Sequence, residues 1–284
     1  MNDFLFYDLR RKVGKRDISI LFPEWEAGNE RVMVLSPHDD DALLGAGYAM
    51  AACRSQGGKV YVCIFCDGSA GYSRPEQKES IAEVRKRETI RAYGLMGVPK
   101  ESVHSLGYPD FSLVSYIGWR LSAGREGTLA GLIPLLRSQR ITRLMIPNGY
   151  REHSDHEAAY DVGRYDGVQA GDPVLVDWGT PSPIKSTLQY AVWGDLSPED
   201  ALVSGEDPGI RANRAIVADY AVERIIAEAL AQFESQGQII QGLLEQRRQR
   251  DCGLGMIELY ISMEPRPKLE YEPYARLIRS LPVE

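Results

Sequence analysis

Histidine is scarce in this chain, four residues among 284, so any imidazole chemistry falls to His38, His104, His153 or His156. Cysteine is equally sparse: Cys53, Cys63, Cys66 and Cys252 are too few to staple a chain of this length with disulfides. Cys63-Ile64-Phe65-Cys66 has CxxC spacing but lies inside an apolar run. A strand turns positions three apart to opposite faces, so buried core thiols are expected rather than a shared metal site. No stretch approaches the ~20 consecutive apolar residues that span a bilayer. The N-terminal segment places its charges after a short apolar patch, the reverse of a secretory signal. The expected location is cytoplasmic, with no membrane span. A basic surplus is also missing: 33 Lys and Arg against 40 Asp and Glu give a net charge of −7, which argues against nucleic acid as a partner. The one dense basic run near the N-terminus, Arg10, Arg11, Lys12, Lys15 and Arg16, reads as a solvated surface segment.

What is present suits a soluble globular protein of one or two domains, with 44% apolar and 26% charged residues. Arg31 to Ser36 is a short apolar run ending in a polar cluster, as a buried parallel strand ends. Residues 42–56 suit a helix with a small-residue face, 59–66 a second strand, and 76–96 a helix. Val103 to Leu106 suggests a strand, 128–138 a helix, Ile141 to Ile146 a strand and 154–164 a helix. Strands alternating with helices imply an α/β fold, a mostly parallel sheet covered on both faces. Residues 165–210 are rich in Gly, Pro and Asp and read as loops around a strand at Leu188 to Trp193. A long helical pattern runs from Ala212 to Arg250, with interruptions possible at Gly237 or Gly242, and Met256 to Met263 alternates like a strand. One domain over 1–284 is expected, its core at about 30–165 and a loop-rich, helical C-terminal elaboration at about 166–284.

Three of the four histidines stand beside aspartates in two short segments, Pro37-His38-Asp39-Asp40-Asp41 and His153-Ser154-Asp155-His156. Each follows an expected strand, and in open α/β sheets ligands sit at the carboxyl ends of strands. Three adjacent carboxylates repel one another unless a cation or donor compensates them. Two imidazoles and a carboxylate with a position left for water form a recognised catalytic zinc arrangement. Either segment alone could instead be a helix N-cap or a set of acids answering a helix dipole. Their joint occurrence at matching strand ends favours a metal site.

The strand followed by Pro-His-Asp-Asp-Asp-Ala-Leu-Leu-Gly-Ala-Gly, and much later by His-Ser-Asp-His, resembles the PIG-L/LmbE-like zinc-dependent de-N-acetylases. Supporting pieces are Cys66-Asp67-Gly68, Arg85-Lys86-Arg87-Glu88 with Met96-Gly97-Val98, Leu106 to Asp110, and Ser235-Gln236. The resemblance covers roughly residues 30–265 and implies a Rossmann-like fold. It implies that His38, Asp41 and His156 hold Zn2+ or another divalent metal. Asp40 would be the general base, His153 would stabilise the oxyanion or protonate the leaving amine, and Asp155 would orient His153 and favour its charged form. Arg85 would contact substrate, with Tyr108 and Asp110 as further substrate-binding candidates. The implied substrate is a small N-acetylated sugar of N-acetylglucosamine type or its glycoside, and a homo-oligomer is possible. Two positions depart from the family pattern. Asp39 replaces the usual proline, which should loosen the loop and add a charge, and Ala42 replaces the usual acid.

The implied roles agree with the chemistry. Amide hydrolysis near neutral pH needs a nucleophile better than water, and zinc lowers the pKa of bound water to about 7. A carboxylate one residue from a ligand can reach that water without coordinating. His104 reads as a strand or surface histidine. Tyr72, Arg74, Trp178 and Trp193 join Tyr108 as candidates for lining a substrate groove. Three rivals remain: a magnesium-dependent phosphatase of haloacid dehalogenase type using Asp39 to Asp41, a nucleotide-binding module using Gly45 and Gly47, and a catalytically silent metal-binding protein of the same fold. Gly45 and Gly47 more readily serve close helix–sheet packing, because Met50 stands where the third glycine of a dinucleotide fingerprint would be.

Overall fold

The run Arg31–Ser36 is buried from Val32 onward and is flanked on both sides by parallel neighbours, so its side chains have no solvent face to alternate towards. The computed structural model describes residues 4–198 and 209–282. Its strands are β1 (Phe4–Asp8), β2 (Val13–Lys15), β3 (Arg31–Ser36), β4 (Lys59–Cys66), β5 (Val103–Tyr108), β6 (Arg143–Pro147), β7 (Ser186–Tyr190), β8 (Arg214–Ala218) and β9 (Met256–Met263). They form one sheet in the order β2-β1-β8-β9-β7-β6-β3-β4-β5. The stretch β7-β6-β3-β4-β5 is parallel, and β9, β8, β1 and β2 extend it by antiparallel pairing. The chain is thus an α/β protein, with a parallel core and an antiparallel extension at one edge.

The helices among the described residues are α1 (Asp41–Ser55), α2 (Ile81–Leu95), α3 (Thr128–Ser138), α4 (Ser154–Asp161), α5 (Tyr220–Leu230), α6 (Gly237–Arg247) and α7 (Glu272–Ser280). Buried residues of α1, α2, α5 and α6 share one hydrophobic cluster with one face of the sheet, whereas α3 and α4 pack on the other. Gly45 and Gly47 sit where α1 meets its neighbours. A Cβ at Gly45 would collide with the Tyr190 ring, and one at Gly47 would lie 2.7 Å from Ile226 Cδ1. These glycines therefore serve close packing.

The alternating pattern places the parallel core, and the C-terminal half differs from it. The helical pattern expected from Ala212 to Arg250 is instead β8, α5 and α6. Arg214–Ala218 is drawn into the sheet between β1 and β9, and Asp219 then caps α5 by accepting the N–H groups of Ala221 and Val222. The N-terminal residues, outside the expected core, supply β1 with Phe4 and Phe6 buried. Arg10 to Arg16 are exposed, as a solvated segment should be. Within the loop-rich 165–210 stretch, residues 199–208 lie outside the described residues.

The strand order has one switch point. From β3 the chain moves outward to β4 and β5, then returns to lay β6 and β7 on the other side of β3. The crevice outside the carboxyl ends of β3 and β6 is where such sheets bind ligands. Both histidine segments lie there.

Candidate metal centre

After β3, Ser36 Oγ donates to His38 O (2.5 Å) and accepts the Ala42 N–H (3.1 Å), tying the loop to the first turn of α1. The His38 N–H donates to Asp41 Oδ2 at 2.8 Å. After β6, residues 148–152 lead to His153, whose Nδ1 accepts the Asp155 N–H (3.2 Å) as the N-cap of α4. Asp155 and His156 lie in the buried first turn of that helix.

The loops meet at His38, Asp41 and His156, whose donor atoms all lie within 4.8 Å of one another. Asp41 Oδ2 is 3.2 Å from His38 Nδ1 and 3.1 Å from His156 Nε2. Each imidazole has its own carboxylate on the far side. His38 Nε2 is 3.3 Å from Asp155 Oδ2, and His156 Nδ1 is 2.6 Å from Glu152 Oε2. His156 Nε2 is buried and faces Asp41 Oδ2 without a well-formed hydrogen bond. An imidazole held by a carboxylate on one nitrogen, with the other turned to a further ligand atom, is the usual posture of a metal-ligating histidine. The residues present therefore fit a divalent cation held by His38, Asp41 and His156.

The electrostatics point the same way. Against its own burial, His38 is raised well above its ordinary value by bonds to Asp155 and Asp41. His156 is likewise raised, against burial, to about 9, chiefly by Asp41 and then Glu152. Asp41 is held well below the usual carboxylate range despite burial, by His156 and His38. Burial, then Asp41 and Asp39, push Asp40 up to about 7. A knot of carboxylates that draws protons onto its imidazoles is one that positive charge relieves.

A cavity of about 440 Å³ opens over this knot. Its wall includes His38, Asp40, Asp41, His153, His156 and Asp110, joined by Arg85, Phe111, Arg151, Trp193 and Ile239. The Phe111 ring stands edge-on to His153 at 4.5 Å, with its backbone at φ +61°.

Several expected roles change. Asp155, the expected orienting partner of His153, has its Oδ2 3.6 Å from His153 Nδ1 and nearer to His38. It also accepts the N–H groups of Phe111 (2.7 Å) and Leu113 (3.1 Å). His153 is not favoured as a cation: burial and then His38 lower it, and its Nδ1 lone pair is spent on the capping bond. Its Nε2 is then the protonated nitrogen and a hydrogen-bond donor. Asp39 does not loosen its loop. It is buried and chelated by Arg85 through Nε (3.0 Å) and Nη2, while Thr89 donates to it and Tyr93 donates to its carbonyl. Arg85, expected as a substrate contact, is thereby committed to Asp39, with Asp40 at 4.0 Å. This pairing also leaves Asp39 without the free carboxylate that a phosphatase nucleophile needs.

Asp110 lines the cavity but spends both oxygens on the N–H groups of Gly68 and Ala70. Tyr108 is not on the cavity wall and packs against Tyr116 at 5.0 Å. Of the other aromatic and cationic candidates, Trp193 reaches the cavity and Tyr72, Arg74 and Trp178 do not. His104 lies on β5, stacked over Tyr61.

Two neighbours of the centre escape a reading of the sequence. Glu152 has a weak signal, a carboxylate four residues before His156. Cys66 is a buried thiol as expected, but the register shift between Ile64 and Cys66 brings it beside His38 and Asp110.

An α/β sheet with a crevice at its switch point, lined by residues that fit a divalent cation, defines the class. More particularly, residues 33–165 match the PIG-L family model, described as GlcNAc-PI de-N-acetylase, a span that contains both histidine segments. No curated protein matches the chain. Among solved structures it is similar to an N,N'-diacetylchitobiose deacetylase from Pyrococcus horikoshii, at 17% identity over 87% of this chain and 91% of that one, with a TM-score of 0.59. It is similar to the A40926 pseudoaglycone deacetylase Dbv21 at 19% identity over 84% and 99%, with a TM-score of 0.59. It is also similar to a 4-carboxy-2-hydroxymuconate hydratase from Pseudomonas putida at 16% identity over 85% and 99%, with a TM-score of 0.62. At these identities the likeness is one of fold, and the fold carries more than one reaction. No helix among the described residues is long and apolar enough to cross a membrane.

Proposed function

We propose that this protein is a zinc-dependent hydrolase that removes the acetyl group from an N-acetylated amino sugar or its glycoside, acting as a single α/β domain. The reading rests on the buried Nε2 of His156, turned to the carboxylate it shares with His38, at the floor of a cavity sized for a sugar. The deacetylases among its structural neighbours and the family model support the reaction class. A sheet that takes strands from both ends of the chain supports the single-domain reading.

His38, Asp41 and His156 would hold the metal. When bound, zinc lowers the pKa of water to about 7 and polarises a carbonyl. Asp40, on the cavity wall and outside the ligand set, takes the proton of the attacking water. His153 donates its Nε2–H to the carbonyl oxygen as charge builds there, an interaction worth typically ~3 kcal/mol for one well-placed donor. The departing amine takes the proton that Asp40 has accepted. Asp155 and Glu152 keep the two imidazoles turned, and Phe111 shields His153 from bulk water.

Acetate release measured across a panel of N-acetylated sugars, with metal analysis of the same sample, tests the proposal. Acetate should appear with zinc bound, vanish on chelation and return with zinc. Protein that takes up no divalent metal overturns the reading. A hydratase acting on an unsaturated carboxylate is the second reading, favoured by the cationic Arg151 on the cavity wall. Hydration without acetate release decides for it.

A further inference from the structure

Past β9 the chain leaves the body of the protein. Residues 264–271 have no regular secondary structure and carry Pro265 and Pro267, whose fixed φ stiffens a spacer. Arg266 pins the base of this stalk, with Nη2 on Asp172 Oδ2 (2.6 Å) and on Val168 O (3.2 Å). The stalk leads to α7, in which no residue is buried. Leu269, Tyr271, Tyr274, Leu277, Ile278 and Leu281 are each 56–72% exposed. The spacing 271, 274, 277, 278, 281 lays five of them along one face of the helix. Glu272 pairs with Arg276 and Arg279 on the opposite face. A helix of 9 residues is too short to hold its shape alone in water. Burial of the apolar face must hold it.

We propose that the apolar face of α7 docks onto a second copy of this chain. The area is sufficient. Six such side chains leave on the order of 100 Å² each, and a two-fold exchange, with each arm covering an equal patch on its partner, removes roughly 2,400 Å² from water, above the ~1,200–2,000 Å² of a standard stable interface. The charge selects the occupant. Residues 264–284 contain four basic and four acidic side chains, which gives no net attraction to an anionic bilayer, whereas helices that lie on membranes carry a Lys- and Arg-rich polar face. The same neutrality lets two chains of net charge −7 meet at the arm without adding to their repulsion. No residue from 264 to 282 lines the cavity over the metal centre, so the proposal stands or falls independently of the reaction.

Sedimentation velocity and light scattering on the full chain test it. Wild type should have the mass of at least two chains and dissociate on dilution. Leu277→Asp with Ile278→Asp should be monomeric and keep the near-ultraviolet circular dichroism of the folded body. The milder Tyr274→Ala with Leu277→Ala should weaken self-association by at least about tenfold, and Arg276→Gln on the opposite face should leave it intact. A wild type that is monomeric at every concentration overturns the proposal, as does an oligomer that ignores both apolar-face variants. Wild type that stays monomeric but co-sediments with phosphatidylglycerol vesicles overturns it too, and assigns the arm to lipid.

Discussion

Glu152 Oε2 lies 2.6 Å from His156 Nδ1, and that contact decides which side of the imidazole is left for a cation. With Nδ1 held as the donor, the neutral imidazole carries its lone pair on Nε2, on the side that faces Asp41. The other oxygen of Glu152 accepts the Asn148 amide and the N–H groups of Val192 and Gly194, so the carboxylate is itself fixed. Glu152→Gln should therefore weaken zinc binding by about 10- to 100-fold without deleting a ligand. Competition against a chelator of known affinity measures this. Unchanged zinc affinity would show that His156 is oriented by something else.

Asp40 should separate turnover from metal binding. Asp40→Ala is expected to lower kcat by about 10²- to 10⁴-fold, with zinc content unchanged on metal analysis. His156→Ala should instead lose zinc. If Asp40→Ala loses the metal as well, Asp40 is a ligand and the proposed division of labour among the three aspartates is wrong.

The parts of the centre that lie close together along the chain are legible in the sequence. His38 with Asp40 and Asp41, and His153 with His156, each follow an apolar run, and the parallel α/β pattern sends both runs' carboxyl ends the same way. Relationships that depend on how two loops face each other are not legible there. Asp155 lies two residues from His153 yet reaches across to His38, and Arg85 answers a carboxylate 46 positions away. The strand Arg214–Ala218 is hidden for a similar reason. Its five residues continue smoothly into a helical pattern, and only pairing with β9 and with β1, near the other end of the chain, makes them extended.

The Asp39–Arg85 pair gives a prediction that distinguishes structure from substrate contact. Both residues are buried, so removing the guanidinium strands a carboxylate beside Asp40 and Asp41. Arg85→Met should cost about 3–5 kcal/mol of stability and lower Tm by roughly 5–8 °C in a chain of this size. Restoring neutrality with Asp39→Asn in the same chain should recover part of the loss. Thermal unfolding of the single and double variants reads this directly. An Arg85→Met protein with wild-type Tm and only a raised KM would return Arg85 to the substrate.

Glu30 contributes to the acid sensitivity of the fold from a site remote from the chemistry. It is fully buried, chelated by Arg143 through Nε (3.0 Å) and Nη2 (2.9 Å), and contacted by Thr142 and Lys185. Against its burial, those partners lower its pKa from 4.5 to about 2. A depressed carboxylate contributes its full stability above the unfolded value and loses it as pH falls through the folded one. The window is therefore pH 4.5 down to about 2, and the contribution is about 3 kcal/mol. Glu30→Gln should be destabilised near neutral pH by a similar amount, since Arg143 keeps its buried charge without a counterion. The stability gap between wild type and variant should then narrow across that acid window. Denaturant titrations of both proteins at stepped pH measure the gap, and a gap that stays constant from pH 5 to pH 2 would mean that the pair does not couple folding to protonation.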